Sequence, residues 1–302
     1  MGVTQGCDHG IDDELYMSES SASNMTVISL TSIPSRFGGL HKTLGTLLQQ
    51  GPGVEEIRIY IPKSYRRFPD WNGETPSVPP QVNIIRVDDD FGPASKVLHV
   101  ADDLKGEDTP IIFCDDDRLY PVGWAQKLLR AHKERPDHCI ATHGRHLYDI
   151  VSEPPLELRH KRAKVGKEFF DPKYRFLRTV QRLRELKFSP TGQRPSRGLV
   201  AQAGQTEILL GYAGVLVTSD FFDEAFYDIP DDLWMVDDIW LSGHMARQKI
   251  PVWLPKRVPV CLRSENDPVD ALRNSVFNGE DRMSSNRFGI QYFQDKYGVW
   301  KE

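Results

Sequence analysis

The sequence predicts an α/β protein built as one doubly wound domain around a mostly parallel central sheet, and three observations carry that expectation. Short β-rich runs alternate with stretches of helical period from Thr26 to about Arg135. The fourth of these runs, 109–114 (TPIIFC), is almost continuously apolar, as a strand covered on both faces must be. A chain of 302 residues, 39% of them hydrophobic, is long enough to bury a large core.

Taken in order, residues 1–24 are polar, rich in Ser, Gly and Asp and without apolar period, and are expected to form a flexible leader ahead of a domain spanning 25–302. The run 26–32 (TVISLTS) predicts the first strand. Leu40, Leu44, Leu47 and Leu48 then share one helical face. The runs 56–61 (EIRIYI) and 82–87 (VNIIRV) predict the second and third strands, the former stopped by Pro62. Val97, Val100, Ala101 and Leu104 mark a helix before the fourth strand, and Pro121 is placed to open the next, with Trp124, Leu128 and Ala131 inward. The half at 136–302 is less regular. It holds a strand-like run at 207–217, a helix near 237–247, a strand at 252–254 and a polar tail that ends at 292–300. Ligands of a doubly wound sheet bind at the carboxyl ends of its strands, so the half at 25–135 is expected to hold the site.

Composition excludes several classes. No apolar run is long enough for a membrane-spanning helix, and the first residues lack a secretory signal pattern. Cys7, Cys114, Cys139 and Cys261 form no CxxC pair, so neither a zinc knuckle nor a disulfide framework is indicated. A soluble, cytoplasmic protein is the expectation. The net charge of −5 hides an asymmetry: 156–198 contains thirteen Lys/Arg against four Asp/Glu.

Asp115, Asp116 and Asp117 follow the fourth strand directly. Adjacent carboxylates at a buried strand end repel one another unless positive groups or a cation neutralise them, and oxygen ligands favour Mg2+ or Mn2+ over zinc. A turn or helix cap is the structural alternative. A second acidic pair, Asp237 and Asp238, opens the later helix, where Asp also serves as a cap.

Three segments together resemble the nucleotide-sugar-dependent glycosyltransferases of the GT-A fold: 29–36 (SLTSIPSR), 113–117 (FCDDD), and 211–214 (GYAG) followed by 236–241 (VDDIWL). The resemblance spans about Met25 to Trp253. It implies that Asp115 and Asp117 are the pair of an Asp-x-Asp element holding Mn2+ or Mg2+ against a donor diphosphate, with Asp117 the foremost ligand and Asp116 at the donor ribose or a coordinated water. It further implies an acid–base role for Asp238, with Asp237 as alternate, in an inverting transfer. Arg36 and Lys96 are expected at the diphosphate, and Gly211 and Gly214 where the backbone approaches the donor sugar. A second triplet, Asp88–Asp90, ranks below the first as a metal site. The sequence has no His after His244 to complete a metal shell, which leaves Arg263 and 286–287 as candidates to close over the diphosphate.

The implied activity is transfer of a sugar, from a UDP-sugar by preference, to a glycan or glycoconjugate. The alternatives are a nucleotidyltransferase of related architecture, which should carry a glycine-rich loop that 31–36 lacks, and a non-catalytic glycan- or nucleotide-binding relative. For the basic insert at 156–198 three readings compete: a solvated helix packed on the domain, a site for an anionic acceptor or phospholipid-linked glycan at a membrane periphery, and nucleic-acid binding. The last is disfavoured by the acidic remainder of the chain and by the lack of interleaved aromatics.

Overall fold

The computed structural model describes residues 25–151, 162–166, 171–186, 195–270 and 282–301. The expected leader at 1–24, and the parts of the basic insert at 156–161, 167–170 and 187–194, lie outside the described residues.

The first half follows the predicted alternation. Strands β1 (Thr26–Thr31), β2 (Val54–Pro62) and β3 (Val82–Val87) run parallel, and β4 (Ile111–Phe113) pairs with the other edge of β1, aligning Val27 with Ile111 and Ser29 with Phe113. Residues 26–30 of β1 are all buried because both faces of the sheet are covered. Successive side chains of a strand point to opposite faces. Val27 therefore packs with Val97 and Val100 of helix α2 (Ser95–Asp103), while Ile28 and Leu30 pack with Leu40, Leu44 and Leu47 of α1 (Leu40–Leu47).

A two-residue strand β5 (Arg118–Leu119) leads to α3 (Trp124–Glu134). Pro121 does not open this helix as expected. Gly123 stands before it at φ +78°, a conformation open to glycine, so the chain turns once more before Trp124.

The second half widens the sheet and mixes its directions. It comprises β6 (Cys139–Ala141), β7 (Gly144–Arg145), α4 (Tyr148–Val151), β8 (Lys164–Val165), α5 (Pro172–Glu185), β9 (Val200–Gln202), β10 (Gly204–Thr206), β11 (Ile208–Leu209) and β12 (Val215–Val217). After these come α6 (Asp237–Arg247), β13 (Val252–Leu254), β14 (Leu262–Arg263) and α7 (Arg282–Tyr297). The eight-stranded sheet has the order β10-β13-β6-β12-β4-β1-β2-β3, with β12 antiparallel between β4 and β6.

Two expectations are corrected here. The single strand at 207–217 is broken into β11, a turn at Gly211–Ala213 and β12. The break is built on Gly214, whose φ of +96° suits glycine and whose missing Cβ would lie 1.9 Å from Cζ2 of Trp124. The polar tail is also a helix, α7, whose Ile290 and Phe293 are buried against α6. Gly243 of α6 admits the Phe293 ring, since a Cβ there would lie 2.3 Å from it. Widely spaced aromatics, instead of a dense apolar stripe, make this contact, which is why the period is faint.

His244 of α6 lies in the same aromatic layer, beside Phe226, Trp240, Phe293 and Tyr297. Its Nδ1 accepts a hydrogen bond from Arg247 Nε at 3.0 Å. Burial, with Arg247 adding to it, lowers its pKa to about 3. Cys114, Cys139 and Cys261 are free, buried thiols whose pKa values burial pushes up. Among the described residues no helix is long and apolar enough to cross a membrane.

Two stability tests follow from the packing. Gly214→Ala forces a Cβ into Trp124 at an unfavourable φ and should lower the urea-unfolding free energy by about 3 kcal/mol or more. His244 remains neutral in the fold while the unfolded chain protonates it below about pH 6.5, so its contribution is present at neutral pH and declines as pH falls toward 3. Between pH 7 and pH 5 the wild type should lose roughly 2 kcal/mol more than His244→Phe. Parallel urea curves for the two proteins would refute this.

Candidate active site

At the end of β4 the chain leaves the sheet with Cys114 N still bonded to the Ser29 carbonyl, and Asp115, Asp116 and Asp117 form the turn that follows. Three neighbours fix the backbone of that turn. The Tyr120 hydroxyl receives the Asp115 N–H at 3.0 Å, Thr43 Oγ1 donates to the Asp116 carbonyl at 2.8 Å, and the Ser264 N–H donates to the Asp117 carbonyl at 3.0 Å. The carboxylates consequently point in three directions.

Asp115 meets Lys96. The ammonium, buried on α2, lies 2.6 Å from Asp115 Oδ1 and 2.8 Å from Asp237 Oδ2 in the first turn of α6. Burial favours the neutral amine, but Asp115, Asp237 and Asp238 outweigh it and hold the Lys96 pKa above its ordinary value. For Asp115, burial raises the pKa, yet Lys96 prevails and it is lowered.

Asp116 has both oxygens engaged, one by Ser32 Oγ and the other by Arg36 Nη1 at 2.8 Å. Arg36 also lies 3.3 Å from Asp117 and donates from Nε to the Val269 carbonyl at 2.8 Å. Its guanidinium is thereby held in one orientation. Asp117 is the carboxylate least compensated. Burial, then the charges of Asp115 and Asp116, push its pKa up to about 7 against the opposing pull of Arg118 and Arg36. Arg118 Nε lies 3.1 Å from Asp117 Oδ1 but off the N–H direction, so that buried oxygen accepts no hydrogen bond among the described residues.

On the facing elements, Asp238 Oδ1 accepts the Gly211 N–H at 2.7 Å. A Cβ on Gly211 would lie 2.8 Å from Lys96 Nζ and 3.2 Å from Asp238 Oδ1, so the bare backbone is a condition of this arrangement.

Two cavities meet at these charges. One is a narrow slot of about 80 Å³ walled by Ile33, Tyr65, Phe68 and Trp234, with Asp90 at its edge. The other is a cleft of about 600 Å³ that includes Asp117, Asp238, Tyr212, Arg118 and Arg145 in its lining. Arg36, Pro93, Lys96 and Asp115 border both.

Arg36, Lys96, Asp115, Asp116, Asp117, Asp237, Asp238 and Gly211, all named from sequence, are thus brought together. Asp116 accepts one hydrogen bond at each oxygen, from Ser32 and from Arg36, and borders the slot. Asp237 and Asp238 both line the cleft, Asp237 beside Lys96 and Asp238 held by the Gly211 N–H. Gly214 faces Trp124 in the core, so its missing side chain is a packing requirement and not an approach to a sugar. Asp90 accepts the N–H groups of Arg66 and Gly92 and shapes the slot. Arg263 borders the cleft and lies 3.6 Å from Asp267. The sequence reading passes over Arg118, which lies 2.7 Å from Asp267 and 4.9 Å above the Tyr212 ring, and over Tyr120. Arg118 directly follows the triplet, and that adjacency was the available signal.

The donor set fits a hard divalent cation held by few protein ligands. Asp117 and Asp237 each present a buried oxygen without a hydrogen bond among the described residues, and Asp115 borders the same cleft. No group of three His, Cys, Asp or Glu side chains among the described residues encloses an ion. Mg2+ is commonly bound by one or two carboxylates together with substrate phosphates and water.

No family model matches the chain, and no curated protein matches it in sequence. Among solved structures, GalNAc-T7 with UDP, GalNAc and Mn2+ is similar at 11% identity and a TM-score of 0.46, over 91% of this chain and 56% of that one. The UTP-bound UGPase from Acinetobacter baumannii is similar at 8% identity and a TM-score of 0.42, over 91% of this chain and 96% of that one. This chain spans little more than half the length of the first, and likenesses so distant carry no argument about its chemistry.

Lys96→Met tests the assembly. It leaves Asp115 and Asp237 facing each other without their cation, and should cost about 3–5 kcal/mol in urea unfolding. Adding Asp237→Asn should recover part of that loss; if it recovers none, the two carboxylates are not coupled through Lys96.

Proposed function

We propose that the chain is a metal-dependent glycosyltransferase that moves a sugar from a nucleoside-diphosphate sugar, a UDP-sugar by preference, to a hydroxyl of a glycan or glycoconjugate with inversion at the anomeric carbon. The observation that supports this most is the junction of the aromatic slot with the carboxylate-lined cleft at Arg36, Lys96 and Asp115. A flat base suits the slot, a diphosphate suits the junction, and a sugar with its acceptor suits the cleft.

Each residue then has a task set by its surroundings. Tyr65, Phe68 and Trp234 offer faces and edges to the base. Arg36, oriented by Asp116 and Val269, presents a guanidinium to phosphate oxygens, an interaction that strengthens as the leaving diphosphate gains charge. Lys96 adds positive charge from beneath. A cation at Asp117 and Asp115 would supply Lewis-acid stabilisation of the same leaving group. Asp238, held by the Gly211 N–H, is positioned to take the proton of the acceptor hydroxyl as its oxygen bonds to the anomeric carbon and the bond to the diphosphate breaks. Asp237 is a positioning residue that acts through Lys96.

The test pairs binding with turnover. UDP-sugars should raise the melting temperature in Mn2+ or Mg2+ more than GDP- or CMP-sugars do, and Asp117→Asn should abolish both that shift and metal-dependent turnover with the fold intact. Asp238→Asn should keep donor binding while kcat falls by about 10²-fold or more. Full activity in either variant would overturn its assignment. Release of pyrophosphate from a nucleoside triphosphate and a sugar phosphate would establish the nucleotidyltransferase alternative.

A further inference from the structure

Helix α5 is amphipathic in the reverse sense to one that covers a core. At about 100° per residue, Tyr174, Arg178, Gln181 and Glu185 fall on one side of it. These are half-buried, and the Arg197 guanidinium lies 4.6 Å above the Tyr174 ring. The side about 160° away carries Phe176, Val180 and Leu183. Phe176 is 68% exposed and Leu183 69% exposed, and just past the helix Leu186 is 91% exposed. Val180, between Phe176 and Leu183, is half-buried, so the helix sets its polar side against the protein and exposes Phe176 and Leu183 on the other.

Cations border that apolar strip. Arg175 and Arg182 run along one flank and Arg184 along the other, and all three are exposed. Apolar side chains between arginines match an interface in which hydrocarbon lies beneath a layer of anionic groups: the rings and branched chains enter the acyl boundary while the guanidinium groups remain at headgroup level. A second copy of the chain is a poorer occupant, because a two-fold pairing of this face would set its arginine flanks against one another.

We propose that α5 docks the protein on an anionic lipid bilayer. The contact has a defined place in the fold. Ser196 Oγ donates to the Val260 carbonyl, the Val260 N–H donates to the Arg197 carbonyl at 3.1 Å, and Gly198 bridges to Pro259. Leu199 and Val260 line the larger cleft. A bilayer under α5 is therefore joined to the cleft through the stretch at 196–199. The inference is independent of the transfer reaction, since lipid binding requires no donor.

The test is flotation of the full chain with phosphatidylcholine vesicles and with vesicles containing about 30% phosphatidylglycerol. Binding to the anionic vesicles should exceed binding to the neutral ones by about tenfold and decline with salt. The double variant Phe176→Ser/Leu183→Ser should lose that excess with its melting curve unchanged, and Arg182→Glu/Arg184→Glu should reduce it. Phe176→Trp should show added blue-shifted fluorescence with anionic vesicles alone, a readout that does not depend on losing function. Absence of binding to anionic vesicles, or binding untouched by the two serines, would overturn the proposal. So would a dimer that the serines dissociate in a protein that ignores vesicles.

Discussion

The structure depends on one buried ammonium. Lys96 reaches from α2 to a carboxylate at the end of β4 and to another at the start of α6, and so joins the parallel half of the sheet to the helix that follows its antiparallel insertion. Taking three charges out of water is expensive, and a buried ion cluster generally contributes little net stability. What it contributes here is position. With Lys96 in place, Asp115 and Asp237 are fixed, Gly211 must lack a side chain, and Asp238 is directed to the backbone N–H that holds it. Apolar residues of equal volume would fill the space but place no charge.

The cation of the proposed reaction would enter this same cluster. Asp115, Asp116, Asp117, Asp237 and Asp238 face Lys96, Arg36 and Arg118, and Arg145 and Arg263 also line the cleft, so the two signs are closely matched. Burial first, and then the charges of Asp115 and Asp116, raise the pKa of Asp117 to about 7, and burial raises Asp116 as well against the pull of Arg36. In the proposed reaction a divalent cation would add positive charge at Asp117 Oδ1, which with Asp237 Oδ2 is a buried carboxylate oxygen that accepts no hydrogen bond among the described residues.

Much of this was legible in the sequence, for physical reasons that also mark where legibility ends. Strands covered on both faces must be apolar throughout, so β1 and β4 were apparent, and a doubly wound sheet places its site at their carboxyl ends, so Asp115–Asp117 stood out. Which carboxylate does what was not legible. Residues in a turn project by backbone geometry that composition does not encode, and Asp116 turned inward to Arg36 while Asp117 turned to the cleft. Asp237 and Asp238 divide similarly: neighbours on a helix point about 100° apart, so one reaches Lys96 and the other Gly211. The antiparallel β12 was hidden because the break before it rests on a contact between Gly214 and Trp124, ninety residues apart in sequence. Helix α7 was hidden because its burial rests on a few aromatics that Gly243 admits.

The overall charge of −5 is the least informative number about this chain, and the fold explains why. Negative charge gathers at the carboxyl ends of the strands, where buried cations hold it in place. Positive charge gathers in the insert, where α5 presents it to the outside along with side chains that a core would otherwise claim. A solvated helix packed on the domain would turn Phe176 and Leu183 inward and its arginines outward, which is the cheaper arrangement in water. The observed orientation gives up that burial. The two signs therefore differ in place: carboxylates are held by buried cations at the cleft, while the arginines of α5 lie on a surface that also exposes Phe176 and Leu183.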